Sequence, residues 1–133
     1  MSYVIDASAA AEYLLKTSLG GRIANVIEDQ PLYAPELLDV EIVSILRRAT
    51  FRKMVSDRRA GEAIEDLRHW PVERISHRAI AASAWAYWNN VSAYDAFYVA
   101  AAVVLDVPLL TADGPLANAP LPGVAVMNVR LGG

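Results

Sequence analysis

Short β-type runs alternate with longer helical segments along the whole chain, and that alternation restricts the possible folds more than any other feature. Tyr3-Val4-Ile5 is an apolar extended run, and residues 7–17 follow it with Ala10, Tyr13, Leu14 and Thr17 at helical spacing. Gly20-Gly21 is expected to break this helix, with a second helix over residues 22–29. Leu32-Tyr33-Ala34 precedes Pro35, which biases it towards extended geometry. Residues 37–54 read as a third helix whose apolar stripe is Val40, Val43 and Leu46. Ser56 is a suitable N-cap for a fourth helix over residues 57–69, which Pro71 ends. A strand at 72–75, a Ser76-capped helix at 77–88 and an apolar helix at 93–105 come next. Leu109-Leu110-Thr111 is a further strand, followed by a loop rich in Pro and Gly and a last strand at 124–129. Leu131-Gly132-Gly133 reads as a frayed end. Strands alternating with helices predict an α/β domain with a mainly parallel sheet.

The 133 residues fit one domain, 1–133, and 55% hydrophobic content argues against disorder. With no cysteine, disulfides, thiolate metal sites and a cysteine nucleophile are excluded. That absence favours the cytoplasm. Asp6 and Glu12 interrupt the N-terminal apolar stretch, so it does not read as a signal peptide. The apolar run 96–105 is far shorter than the roughly 17–25 residues that span a bilayer, so no membrane partner is expected. A net charge of −3 rules out a generally basic nucleic-acid coat protein. Even so, Arg47, Arg48, Arg52, Lys53, Arg58 and Arg59 crowd one segment. Either a solvated helix face or a local phosphate-gripping surface fits that crowding.

Among fifteen acidic residues, four stand where a parallel sheet aims side chains at one cleft. Asp6 follows the first strand and Asp113 follows the strand ending at Thr111. Glu41 and Asp95 lie in the first turns of two apolar helices. Ligands of open α/β sheets bind outside the carboxyl ends of the strands. For Asp6 and Asp113 taken singly, helix capping or turn formation is the ordinary reading. Glu41 and Asp95 are harder to explain that way, because apolar residues surround both and an unpaired buried carboxylate is costly. Four converging acids repel unless a cation neutralises them, which points to a divalent metal and to phosphate chemistry. Asp39 lies about 200° around the helix from Glu41 and cannot share its direction.

Other chemistries lack parts. The only histidines, His69 and His77, sit at helix ends as surface or boundary residues, leaving no base for a serine nucleophile. No glycine-rich nucleotide-binding motif is present. A phosphotransfer or phosphatase site would need a second acid beside Asp6 and a strand-end lysine, whereas Lys16 and Lys53 fall in predicted helices.

Four segments together resemble a known family: Val4-Ile5-Asp6-Ala7-Ser8, Pro35-Glu36-Leu37-Leu38-Asp39-Val40-Glu41, Ser92-Ala93-Tyr94-Asp95-Ala96-Phe97-Tyr98-Val99-Ala100 and Leu110-Thr111-Ala112-Asp113-Gly114-Pro115-Leu116. In that order and spacing they resemble PIN-domain ribonucleases, and in size and layout the VapC-type toxins of toxin–antitoxin pairs. The resemblance implies a three-layer α/β fold with a mainly parallel central sheet flanked by helices. It implies a Mg²⁺- or Mn²⁺-dependent endoribonuclease that cleaves RNA by metal-activated water. Asp6, Glu41, Asp95 and Asp113 match the family's acidic quartet and would be both catalytic and metal-binding. Thr111 matches a hydroxyl residue that orients the acids, and Ser8 a small polar position that could equally cap the first helix. One departure is Pro115, where many members carry a further Asp; it bears on a second metal and not on the first. The resemblance also implies a homodimer and a cognate antitoxin whose tail fills a groove near the active site. With RNA as substrate, Arg47, Arg48, Arg52 and Lys53 are the candidate RNA contacts. Trp85 and Trp88, with Tyr87 between them, suit core packing or a dimer seam better than base stacking. The alternatives are a non-catalytic PIN-like module that binds RNA or a partner, and a phosphotransfer or phosphatase domain.

Overall fold

Five strands carry the fold: β1 (Tyr3–Ile5), β2 (Leu32–Pro35), β3 (Val72–Ile75), β4 (Leu109–Thr111) and β5 (Val126–Asn128). In the computed structural model, which describes residues 1–131, they form one sheet in the order β3-β2-β1-β4-β5. Of the end expected to fray, Leu131 is exposed but its amide bonds the Asn128 carbonyl (3.0 Å), and Gly132-Gly133 lie outside the described residues. Every pairing is parallel, with Val4 opposite Tyr33 on one side and opposite Leu109 on the other. Parallel neighbours need helical crossovers, and the covering helices bury the sheet on both faces. The inner strands are accordingly apolar runs without alternation: Val4, Ile5, Ala34, Leu109 and Leu110 have no exposed surface.

The crossovers are α1 (Ala7–Leu14) with α2 (Ser18–Ile27), α3 (Leu37–Phe51) with α4 (Asp57–His69), and α5 (His77–Trp85) with α6 (Ala93–Leu105). The first two step outward from β1 to β3, and the third steps back across the sheet to β4. Right-handed crossovers therefore put the first four helices on one face and the last pair on the other. α6 packs against β1, β2 and β4, and α5 packs against α6. Val99, Ala100 and Ala101 of α6 have no exposed surface, and the small side chains let the helix lie close to the sheet. A short helix, α7 (Gly114–Ala117), follows β4.

Several boundaries differ from the sequence expectation. α1 stops at Leu14 and not at residue 17, because Lys16 adopts a left-handed conformation (φ 57°) and Thr17 turns to cap α2. Gly20 and Gly21 do not break a helix; they lie inside α2. A Cβ on Gly20 would sit 2.1 Å from the Glu12 carbonyl oxygen, so glycine is there to let α1 and α2 cross closely. α3 ends at Phe51, with Lys53 left-handed (φ 58°) beyond it. Its buried positions are Leu37, Leu38, Ile42 and Leu46; of the expected stripe only Leu46 is buried, with Val40 71% and Val43 47% exposed. α5 closes at Trp85, leaving Trp85 and Trp88 outside the core, 71% and 63% exposed and stacked on each other at 6.0 Å. Tyr87 and Asn90 instead tie the following turn to the carbonyls of Pro122 and Pro120. α7 falls where only a loop was expected, and β5 spans Val126–Asn128 rather than 124–129.

Candidate active site

The sheet order reverses at β1: the chain leaves β1 towards β2 and returns to its other side as β4. Crevices form at the carboxyl ends of strands at such a reversal. A cleft of about 460 Å³ opens there, and Asp6, Glu41, Asp95 and Asp113 all line it, with Ser8, Ser44, Arg48, Tyr94 and Tyr98. The four acids singled out in the sequence are thus brought together. Of the other hollows among the described residues, those of about 420 and 280 Å³ are mainly apolar, and one of about 390 Å³ sets Glu62, Glu65 and Asp66 beside Lys16 and Arg59.

Asp6 follows β1 directly and is the N-cap of α1. Its Oδ1 accepts from the Ala9 amide (3.0 Å) and the Ser8 hydroxyl (2.7 Å), and its Oδ2 accepts from the Thr111 hydroxyl (2.5 Å). Capping and cleft lining are therefore one role, since the cap bonds fix the carboxylate's direction. Asp6 is only 5% exposed. Burial pushes its carboxyl up to about 6, with a further push from Asp95, while the bonds from Thr111, Ala9 and Ser8 pull the other way. Thr111 is fully buried; besides donating to Asp6 it accepts from the Asp113 amide (2.9 Å). Ser8 is not the cap of α1. It donates to Asp6 and accepts from the Ala112 amide (2.9 Å), joining α1 to the end of β4.

Asp113 caps α7 through the Leu116 amide (3.4 Å). Asp95 lies in the first turn of α6, its amide held by the Ser92 hydroxyl at 3.2 Å. Burial raises its carboxyl pKa, and Asp113 raises it further. Glu41 projects from α3 and is also raised, first by burial and then by Asp95; Tyr98 and Arg48 oppose the rise. Glu41, Ser44, Arg48 and Arg52 fall on one side of the helix by spacing, but only the first three line the cleft, because α3 ends before Arg52.

The other basic residues disperse. Arg47 stacks over Phe51 at 4.7 Å beside the apolar hollow between α3 and α4. Arg52 and Lys53 stand exposed past the end of α3, outside the cleft lining. Arg59 donates to the Leu14 carbonyl (2.7 Å) and pairs with Glu62. Asp39 turns away from Glu41 and makes a two-pronged ion pair with Arg74 (2.7 and 3.2 Å). His77 has a structural task that its sequence position did not disclose: its Nε2 accepts from the Leu37 amide at 2.9 Å, capping α3, the helix that carries Glu41. His69 is exposed beside Glu65.

The sequence reading gave Tyr98 no role in the site. The available signal was its spacing, since residues three apart on a helix share a face and Tyr98 lies three beyond Asp95. Tyr98 is 1% exposed, and burial together with Glu41, Asp6 and Asp95 drives its phenol pKa far upward, so it keeps its proton.

The donor set is all oxygen, which suits a hard divalent cation. Three of the Asp6 lone-pair positions are used internally, leaving Oδ2 one free direction. Among the described residues no three acidic or imidazole groups lie close enough to form a ready-made metal cage. An ion such as Mg²⁺, held by one or two carboxylates and otherwise by water, needs none.

The comparison with known families agrees with this geometry. The model of the PIN domain family matches residues 3–120. The chain belongs to the PIN domain family. Ribonuclease VapC12 of Mycobacterium tuberculosis (strain ATCC 25618 / H37Rv) is 34% identical to this PIN domain over 115 residues, 86% of this chain and 89% of that protein. Ribonuclease VapC1 of the same strain is 37% identical over 119 residues, 88% of this chain and 90% of that protein. Among solved structures, PAE2754 from Pyrobaculum aerophilum is similar with a TM-score of 0.66 at 17% identity, covering 95% of this chain and 83% of that one. VapBC2 from Rickettsia felis, bound to a DNA fragment from its promoter, matches with a TM-score of 0.62 at 9% identity, covering 96% and 98%. At such identities the structural likeness speaks for the PIN fold. No helix of the described residues is long and apolar enough to cross a membrane.

Proposed function

We propose that this PIN domain is a Mg²⁺- or Mn²⁺-dependent endoribonuclease and the toxin of a toxin–antitoxin pair. The observation that carries the reading is the convergence of Asp6, Glu41, Asp95 and Asp113 on one cleft at the reversal of the sheet. The ribonuclease relatives of nearly equal length supply the substrate class. Asp6, Asp95, Asp113 and Glu41 would hold the cation between them, one or two directly and the others through its bound waters. Once bound, it supplies positive charge for the phosphodiester oxygens and lowers the proton affinity of the attacking water.

The protein's own part is placement. Thr111 and Ser8 fix the direction of Asp6, and the Asp113 amide is fixed by the same threonine hydroxyl. Arg48 is the cationic side chain placed to meet a phosphate at the cleft. Arg47, Arg52 and Lys53, near and beyond the C-terminal end of α3, would add positive charge for the RNA strand outside the cleft. No protein nucleophile is required, so the absence of cysteine and the structural duty of His77 are both compatible with the chemistry. The VapC-type resemblance supports a cognate antitoxin and a homodimer in the cytoplasm. The exposed Val40, Val43 and Trp85 are apolar surface available to such partners.

The deciding experiment is RNA cleavage by purified protein freed of any partner. Internal cuts in single-stranded RNA are expected with Mg²⁺ or Mn²⁺ and not with EDTA, and Asp6→Ala and Asp113→Ala should each abolish them while remaining folded. Cleavage that survives Asp6→Ala would reject the assignment. RNA binding without any cleavage would leave the chain as a non-catalytic module.

A further inference from the structure

Among the described residues, one buried side-chain polar atom has no hydrogen-bond partner: the hydroxyl of Tyr98. The residue is 1% exposed and lines the acidic cleft. A buried hydroxyl left unpaired loses its hydration with nothing in return, and phenylalanine would fill the same space without that loss. Packing therefore does not explain the oxygen. Ordinary phenols are protonated at neutral pH, so this one has a proton to give. The groups it faces are carboxylates, those of Glu41, Asp6 and Asp95. Asp6 already accepts three hydrogen bonds. Glu41 is the carboxylate whose ionised form Tyr98 favours, and its only other favourable neighbour is the charge of Arg48. The hydroxyl thus faces Glu41 closely enough to favour its ionised form, yet it makes no hydrogen bond of full geometry there.

We propose that Tyr98 is a positioning residue that donates to Glu41 in the cation-loaded cleft and holds that carboxylate for the divalent ion. This rests on the metal-dependent reading above. The incomplete bond to Glu41 is then a property of the metal-free fold, completed when the cation fixes the carboxylate. Groups that orient metal-ligating carboxylates typically change metal affinity by about 10–100-fold when removed.

The test is Tyr98→Phe, made alone and in a Glu41→Gln background. Mn²⁺ affinity would be measured by calorimetry and thermal melting recorded without metal. In the parent background Tyr98→Phe should weaken Mn²⁺ binding by about tenfold or more. The same change in the Glu41→Gln protein should alter it by less than about twofold, since a residue acting through Glu41 has nothing left to orient. Metal-free Tyr98→Phe should melt at or above the parent temperature. Equal losses in both backgrounds, or unchanged Mn²⁺ affinity in the single variant, would overturn the role of Tyr98 while leaving the metal site standing. A lower metal-free melting temperature would show that the hydroxyl already has a partner, and would also overturn it. A parent protein that binds no Mn²⁺ would remove the metal reading and this inference together.

Discussion

The Thr111 hydroxyl donates to the Asp6 carboxylate across 105 positions of chain, at 2.5 Å and away from solvent. One oxygen atom thereby fastens the ends of two adjacent parallel strands and sets the direction of an acid in the cleft. The same oxygen receives the amide of Asp113.

Thr111→Val keeps the shape and removes both bonds. It should destabilise the fold by about 1–3 kcal/mol, because a buried carboxylate and an amide lose partners. Metal-dependent cleavage should fall with it. Thr111→Ser restores the hydroxyl and should recover most of the activity. Urea unfolding and a cleavage assay on the three proteins check this; an inactive serine variant of normal stability would assign the role to the methyl group.

Stability should fall as pH rises from about 4 to 6. Asp6 titrates near 3.8 when unfolded and at about 6 in the fold. The folded state thus binds the proton more tightly. Its advantage is fully present below 3.8 and is lost as pH passes about 6. That difference corresponds to about 3 kcal/mol at 1.36 kcal/mol per pKa unit. The raised Glu41 and Asp95 act in the same direction. Denaturant midpoints at pH 4.5 and 7 should therefore differ more for the parent than for Asp6→Asn. Equal differences would mean that Asp6 is not the group responsible. Mn²⁺ should narrow the gap at pH 7 and bind more weakly below pH 6, where protons compete for the same oxygens.

Gly20→Ala and Gly21→Ala should move stability in opposite directions. A methyl on Gly20 meets the Glu12 carbonyl at 2.1 Å, and backbone cannot swing aside. A loss of about 2–3 kcal/mol or more follows from overpacking at such a crossing. Nothing lies within 4 Å of a Cβ on Gly21. There alanine should gain up to about 1 kcal/mol from helix propensity. Thermal melts of the two variants decide it, and similar losses in both would refute the close-crossing explanation.

Arg48→Glu should weaken RNA binding more than Arg52→Glu or Lys53→Glu, because only Arg48 borders the acids. All three should flatten the dependence of binding on salt. Only Arg48→Glu should also disturb metal affinity, by exchanging a favourable neighbour of Glu41 for a repelling one. Fluorescence anisotropy with a short single-stranded RNA at several salt concentrations gives the slopes. An unchanged slope in all three would return the segment to a solvated face.

The parts of the fold visible in the sequence were those with strong local signals. Apolar runs such as Leu109-Leu110-Thr111 name a buried strand by themselves, and the acids that follow strands are aimed by the parallel topology. Three kinds of information stayed hidden. Gly20-Gly21 reads as a helix breaker because the neighbour that requires Gly20, the Glu12 carbonyl, belongs to another helix. The buried side of α3 was misplaced because Val40, Val43, Ile42, Ile45 and Leu46 make it apolar all round, and periodicity cannot choose among faces. Tyr98 and His77 stay hidden because each is defined by a group on a different element: the Glu41 carboxylate that Tyr98 faces, and the Leu37 amide that His77 accepts from.

The order in which strands enter the sheet also sets when the acidic cleft can be assembled during synthesis. β4 is made late but docks beside β1, which is made first. A ribosome that has reached Leu105 has already placed Asp6, Glu41 and Asp95 in the growing polypeptide. It has not yet made Thr111 or Asp113, and the central strand still lacks a neighbour on that side. The four-acid cleft therefore cannot be completed until β4 has been made and has docked beside β1.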